Sequence, residues 1–233
     1  MKTKIVQQKW GRDVAKLSFK YGAMNSGKSD TLIKVAFNYE ECGLKVAIIK
    51  PSVDTRGASF VYSRTGYKRP ANVFALPDTN LKEAVKLFIN DNGINKLNCV
   101  LVDEAQLLSR DQVDQLYDIA KNDDISVIAY GIRTDFRTEL FPGSERLFAL
   151  ADNIEKLPTM CKCGSQAEFN CRKNNDEYVF EGEQVAIDGA GATTYEPLCG
   201  KCYFDIRNKK MPKSQQSNMT EKRILKNGSR GVK

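Results

Sequence analysis

The sequence predicts an α/β fold, a parallel β-sheet with helices on both faces, followed by a small hairpin unit that carries cysteines. Three observations predict it. Apolar, strand-like runs alternate with helical periodicities from about residue 17 to 158, the order that a parallel sheet with crossover helices requires. The first strand–helix junction reads "YGAMNSGKSD" (residues 21–30), a phosphate-binding pattern. From residue 159 the alternation stops and two close cysteine pairs appear.

The elements follow in order. In "KLSFKY", Leu17, Phe19 and Tyr21 alternate with polar residues, as in a strand. Ser18 and Lys20 interrupt the apolar run usual in a central parallel strand. The loop Gly22, Ala23, Met24, Asn25, Ser26, Gly27, Lys28, Ser29 fits G-x-x-x-x-G-K-[ST]. Gly22 and Gly27 lack Cβ atoms, so backbone N–H groups can turn inward around a phosphate. Lys28 supplies a point charge to the β/γ-phosphates, and Ser29 offers its hydroxyl to Mg²⁺. Leu32, Ala36 and Tyr39 then share a helical face, with Ile33 and Phe37 beside them, and Gly43 can end the helix.

"VAIIKP" (46–51) suits a strand covered on both faces. "DTRGASFVYSRTGYKRPAN" (54–72) has turn residues and arginines without periodicity and reads as a long, mobile loop near the phosphates. Leu81, Val85 and Phe88 mark a helix, and "CVLVDEAQLL" (99–108) a buried strand ending in acids. Ser109 and Gln112 form a capping-box pair ahead of a helix with Val113, Leu116, Tyr117 and Ala120 on one face. "SVIAYGI" (126–132) is a strand, "GSERLFALA" (143–151) a helix and "NIEKL" (153–157) a last strand.

Asp103 and Glu104 close the run Cys99 to Val102. In open parallel sheets ligands bind at that edge. One carboxylate there can hold the Mg²⁺ that bridges a triphosphate, and a second can take a proton or orient a water. "DEAQ" alone does not choose between a water and an alcohol as nucleophile. With no histidine in the chain, imidazole bases and imidazole zinc ligands are excluded. Cys161 and Cys163 form C-x-C, and Cys199 and Cys202 form C-x-x-C. Two such pairs can close a four-thiolate tetrahedral zinc site, structural because no position stays open. Cys171 in the same segment is a possible substitute ligand.

Four segments result: an N-terminal extension (1–16), a phosphate-loop core (17–158), a zinc-binding hairpin domain (159–204) and a basic tail (205–233). The tail holds nine Lys/Arg against two Asp/Glu, a surplus equal to the chain's +7, so the body balances to zero. That argues against a nucleic-acid surface on the body. The tail is expected to be disordered, either a solvated tether or a weak attachment to nucleic acid or a partner. No stretch is long or apolar enough to span a membrane, and no secretion signal is expected. Seven cysteines then point to reduced thiols or metal ligands, and the expected location is the cytoplasm.

"GAMNSGKS", "KPSVDTR", "VDEAQLL", "YGIRTDFRTELFPGS", the split cysteine pairs and "GEQVAIDG…Y" occur in an order and spacing that resembles the thymidine kinases of the P-loop, zinc-containing (type II) class. The likeness runs from about residue 16 to 204 and is nearest the phage and bacterial members. It implies a RecA-like core with a substrate-covering loop at Val185–Tyr195. It implies that Gly22 to Ser29, with Asp103, Glu104, Ala105 and Gln106, hold ATP. It gives Asp103 and Ser29 to Mg²⁺ and makes Glu104 the base for the nucleoside 5′-hydroxyl. Met24, Leu107, Ile132, Phe136, Phe141, Ile187 and Gly189 match the nucleoside pocket, and Tyr195 the tyrosine that stacks on thymine. ATP and thymidine as substrates, a homotetramer and inhibition by thymidine triphosphate are further implications. The sequence departs from the pattern at Cys202, where histidine is common, at Asp188, and over the longer Gly189–Tyr195 stretch. The rival reading is a RecA-like, nucleic-acid-associated ATPase whose zinc module and tail bind DNA or RNA. A non-catalytic nucleotide-binding adaptor is weaker, because Lys28, Ser29, Asp103 and Glu104 are all present.

Overall fold

The structure, a computed structural model, describes residues 15–54, 59–185 and 193–210. Most of the N-terminal extension, Ile187 to Gly189 of the covering loop and the tail beyond Lys210 therefore lie outside the described residues. In chain order the elements begin with β1 (Leu17–Tyr21), α1 (Lys28–Glu41), β2 (Val46–Pro51), β3 (Phe60–Tyr62), β4 (Lys68–Pro70), β5 (Val73–Ala75) and α2 (Leu81–Asp91). They continue with β6 (Cys99–Val102), a 3₁₀ turn (Ala105–Leu107), α3 (Arg110–Asn122), β7 (Ser126–Gly131), α4 (Pro142–Leu150) and β8 (Asn153–Lys156). The last unit holds β9 (Phe169–Asn174), β10 (Glu177–Val179), β11 (Thr193–Leu198) and α5 (Gly200–Lys210).

Six strands form one sheet in the order β5-β2-β6-β7-β1-β8, and every pairing is parallel. Strand alternation splits the core in two. Ala47, Ile49, Val100, Val102, Val127 and Ala129 face α2, α3 and α4, meeting Leu81, Val85, Val113, Leu116 and Leu147. Val46, Ile48, Cys99, Leu101 and Tyr130 face the other way, onto Leu32 and Ala36 of α1 and Val61 of β3. The predicted capping box forms, with Ser109 Oγ accepting from Gln112 N at 3.2 Å and Gln112 Oε1 accepting from Ser109 N at 3.1 Å.

β1 neighbours the edge strand β8, which accounts for its two polar residues: Lys20 pairs with Glu155 at 2.8 Å, and Ser18 accepts from Asn153 Nδ2 at 3.4 Å.

Four expectations are corrected. Part of the stretch read as one long loop is an antiparallel hairpin, β3 with β4, tied to α1 because Asp30 accepts from Ser63 and Thr65. The short parallel strand β5 pairs with β2 where no strand was expected. Phe37, expected beside the buried face of α1, is 54% exposed. Finally, α5 runs on to Lys210, so residues 205–210, assigned to the tail, are helical.

The last unit is a three-stranded antiparallel sheet, β10-β9-β11, closed by α5. Its small core packs Cys171, Leu198 and Tyr203 with Phe169 and Phe180. No described helix is long and apolar enough to cross a membrane.

Candidate active site

The phosphate loop spans the gap between β1 and α1. Gly27 has φ +72°, a left-handed conformation that a Cβ disfavours, and it caps the helix. The loop is tied to its surroundings by its own N–H groups: Gly22 N donates to Gly131 O at 3.2 Å and Met24 N to Asn170 Oδ1 at 2.7 Å. Lys28 Nζ reaches over the loop to Gly22 O at 3.2 Å and Ala23 O at 3.1 Å. The positive end of the α1 dipole and this ammonium together favour a polyanion.

The acids arrive from β6. Asp103 N donates to Ile49 O at 3.0 Å, which fixes the chain as it leaves the sheet. Ser29 Oγ donates to Asp103 Oδ1 at 3.3 Å, joining a hydroxyl and a carboxylate 74 positions apart. Two oxygen ligands beside a phosphate cradle suit Mg²⁺, which keeps water and phosphate oxygens for its remaining positions.

Glu104 has φ 45° and ψ 41°, left-handed although it is not glycine. That costs on the order of 1 kcal/mol, and it turns the chain out of the strand into the 3₁₀ turn. Its Oε2 accepts from Gln106 Nε2 at 2.6 Å. Gln106 is buried and its Oε1 accepts from Ile132 N at 3.2 Å. Gly131 makes room for this bridge: a Cβ there would lie 2.9 Å from Gln106 Oε1 and 3.2 Å from its N.

These groups open on one cavity of about 810 Å³. Its lining includes Met24, Asn25, Gly27, Lys28, Ser29, Asp103, Glu104, Gln106, Leu107, Ile132, Phe136, Phe141 and Tyr195, all singled out by sequence. Gly22, Ala23 and Ser26 complete the loop behind them, while Ala105 is fully buried in the core and does not line the cavity. Ile187 and Gly189 lie outside the described residues.

Sequence reasoning missed several lining residues. Asp54 was in sight within "KPSVDTR", and Asp135 within "YGIRTDFRTELFPGS". Ser63, Arg64 and Thr65 come with the hairpin, Gln184 was in sight within "GEQVAIDG…Y", and Asn170 had no signal at all.

The aromatic end is held by the cysteine unit. The guanidinium of Arg172, 5% exposed, stacks 3.8 Å from the Phe136 ring centroid. It donates to Tyr195 Oη at 2.8 Å, Glu183 O at 2.8 Å and Gln184 O at 3.2 Å. Tyr203 Oη of α5 donates to Phe136 O at 2.7 Å. Asp135 stiffens the adjoining turn, accepting from Arg137 N at 2.8 Å and Glu139 N at 2.9 Å.

The Sγ atoms of Cys161, Cys163, Cys199 and Cys202 all lie within 4.8 Å of one another. Thiolates about 2.3 Å from one zinc stand roughly 3.8 Å apart, so the tetrad fits a tetrahedral ion. Cys163 Sγ and Cys199 Sγ are 3.6 Å apart, and Cys202 N donates to Cys199 Sγ at 3.4 Å. Hydrogen bonds from the Ser165 backbone and hydroxyl draw the Cys163 thiol down to about 6. Cys171 stands outside the tetrad, fully buried, with its thiol pushed up to about 12 by burial.

Sheet order, loop and strand-end acids together define a P-loop nucleotide-binding enzyme. The sequence model of one family, described as Thymidine kinase, matches residues 15–203. A thymidine kinase of Streptococcus gordonii is 43% identical over 199 residues, covering 84% of this chain and 100% of the relative. Those of Rhodopirellula baltica and Shewanella oneidensis are each 44% identical, over 188 and 195 residues, covering 80% and 83% of this chain and 86% and 98% of the relatives. The chain belongs to the thymidine kinase family.

Proposed function

We propose that the chain transfers the γ-phosphoryl group of ATP to the 5′-hydroxyl of thymidine, giving thymidine monophosphate and ADP. The observation that carries this is the convergence, on one cavity, of the phosphate loop, the Ser29–Asp103 pair, Glu104 and a pocket walled by Phe136, Phe141 and Tyr195. Lys28 and the loop N–H groups hold the phosphates; Ser29 and Asp103 hold Mg²⁺, which spreads the charge of the transferring group. Glu104 takes the proton of the 5′-hydroxyl. It adjoins Asp103, the chain has no histidine to do this, and the other carboxylates of the cavity are engaged, Asp30 by Ser63 and Thr65, Asp54 by Lys50 and Asp135 by Arg137. Tyr195 stacks on the base, whose 5-methyl group packs at the Met24 end. Family likeness assigns Ile187 and Gly189 of the covering loop to the same nucleoside.

The thiol tetrad serves as a structural zinc site that braces the strands flanking that loop. A homotetramer, inhibition by thymidine triphosphate and a cytoplasmic location belong to the same reading, supported by family membership. A nucleic-acid-driven ATPase is not favoured, because the family match spans both the core and the cysteine unit.

The test follows ATP consumption with thymidine, with DNA and with neither. Turnover that requires thymidine and is indifferent to DNA is expected. Stimulation by DNA alone would overturn the assignment.

A further inference from the structure

Asn170, on β9, is 3% exposed yet lines the cavity. Its Oδ1 accepts from the backbone N–H of Met24 at 2.7 Å. That partner fixes the amide's orientation, since turning it over would set two donors against each other. The NH₂ group therefore points away from the phosphate loop. Among the described residues no acceptor takes a hydrogen from it. Its neighbour on the same face of β9, Arg172, offers donors only and spends them on Tyr195, Glu183 and Gln184. Phe169 and Cys171, on the other face, pack into the cysteine unit. The Asn170 amide donor thus has no protein partner among the described residues, and it is open to the cavity rather than sealed from solvent, since Tyr130 Oη alone among them is both sealed and unpaired.

We propose that Asn170 tunes the base end of this site toward pyrimidine 2′-deoxynucleosides whose C5 substituent carries an oxygen acceptor, 5-hydroxymethyl-2′-deoxyuridine being the simplest. The proposal rests on reading the cavity as a nucleoside site with C5 toward Met24. A methyl group offers nothing to the Asn170 donor. A hydroxymethyl oxygen, one atom further out, accepts from it. A site built around such a donor discriminates against analogues that leave it unmet.

The experiment measures kcat/KM of the full chain for thymidine, 5-ethyl-2′-deoxyuridine and 5-hydroxymethyl-2′-deoxyuridine. The last two have the same number of heavy atoms and differ only in whether the outermost one is an acceptor. Hydroxymethyl is expected to exceed ethyl by about five- to tenfold, the worth of one neutral hydrogen bond. In Asn170→Val that ratio is expected to fall to one or below. The ratio is internal to each protein, so a general loss of activity from the vacated Met24 N–H does not disturb it. Thymidine turnover with a ratio at or below one in the unaltered chain overturns the proposal alone, as does an unchanged ratio in Asn170→Val. Failure to phosphorylate any of the three removes the nucleoside reading and the proposal with it. If Asn170→Val does not fold, the ratio in the unaltered chain decides.

Discussion

Gln106 links Glu104 to the sheet: its amide nitrogen donates to Glu104 Oε2 at 2.6 Å while its oxygen accepts from Ile132 N at 3.2 Å. The carboxylate is thereby aimed from a strand end rather than from a loose loop. Glu104→Gln keeps the shape but cannot take a proton. Turnover is expected to fall by roughly 10²–10⁴-fold with ATP affinity nearly unchanged. Steady-state kinetics with thymidine checks it; near-normal turnover would move the base elsewhere.

Arg172 is expected to govern nucleoside binding without touching the phosphates. It stacks on Phe136 and holds Tyr195 and the carbonyls of Glu183 and Gln184. Arg172→Lys preserves the charge but loses the flat fork that makes these contacts together. KM for thymidine is expected to rise about tenfold or more, and KM for ATP to change less than about twofold. Equal changes in both constants would contradict this.

Removing one thiol of the tetrad tests the metal. Cys199→Ser is expected to abolish zinc binding, measured as metal per chain by elemental analysis, and to weaken thymidine binding more than ATP binding. The reason is geometric: Tyr203, whose N donates to Cys199 O at 3.0 Å, also holds Phe136. Protein purified without chelator that contains no zinc would contradict it.

Tyr130 Oη is buried and, among the described residues, has no hydrogen-bond partner. Burial and the nearby Cys99 keep the phenol protonated far above neutral pH. An unmet hydroxyl costs stability, so Tyr130→Phe is expected to leave unfolding free energy unchanged or raise it by up to about 1 kcal/mol. Denaturant melts check this, and a loss greater than about 1 kcal/mol would reveal a partner such as a trapped water.

A chain ending at Lys210 is expected to keep full activity and thermal stability. The cut belongs there, since α5 continues to Lys210 and Lys210 pairs with Glu177 at 3.0 Å. A marked drop in melting temperature would show that the basic segment packs on the body.

How much was legible in the sequence depended on where each signal is stored. The phosphate loop, the acid pair and the capping box are fixed by residues a few positions apart, the thiol tetrad by two pairs each of close spacing though 36 positions separate Cys163 from Cys199, and the periodic core faces repeat locally, so all could be read. Phe37 kept the helical spacing but lay outside the arc that meets the sheet. The hairpin β3–β4 could not be read, because Asp30, about thirty positions earlier, is what secures Ser63 and Thr65. Asn170 was silent for the same reason: its partner, Met24, lies 146 positions away. Arg172 carried no signal either, because Phe136 and Tyr195, the rings it faces, lie 36 and 23 positions away.

Phe136 leaves the ribosome before the two residues that clasp it, Arg172 and Tyr203, which come 36 and 67 positions later. The six-stranded sheet is complete once β8 has been made, although the phosphate loop still lacks its tie to Asn170. The order of synthesis therefore completes the sheet before the aromatic end of the cavity. A chain cut between β8 and α5 would keep all six strands and lack Tyr203, so the far end of the chain is what completes the aromatic end of the site.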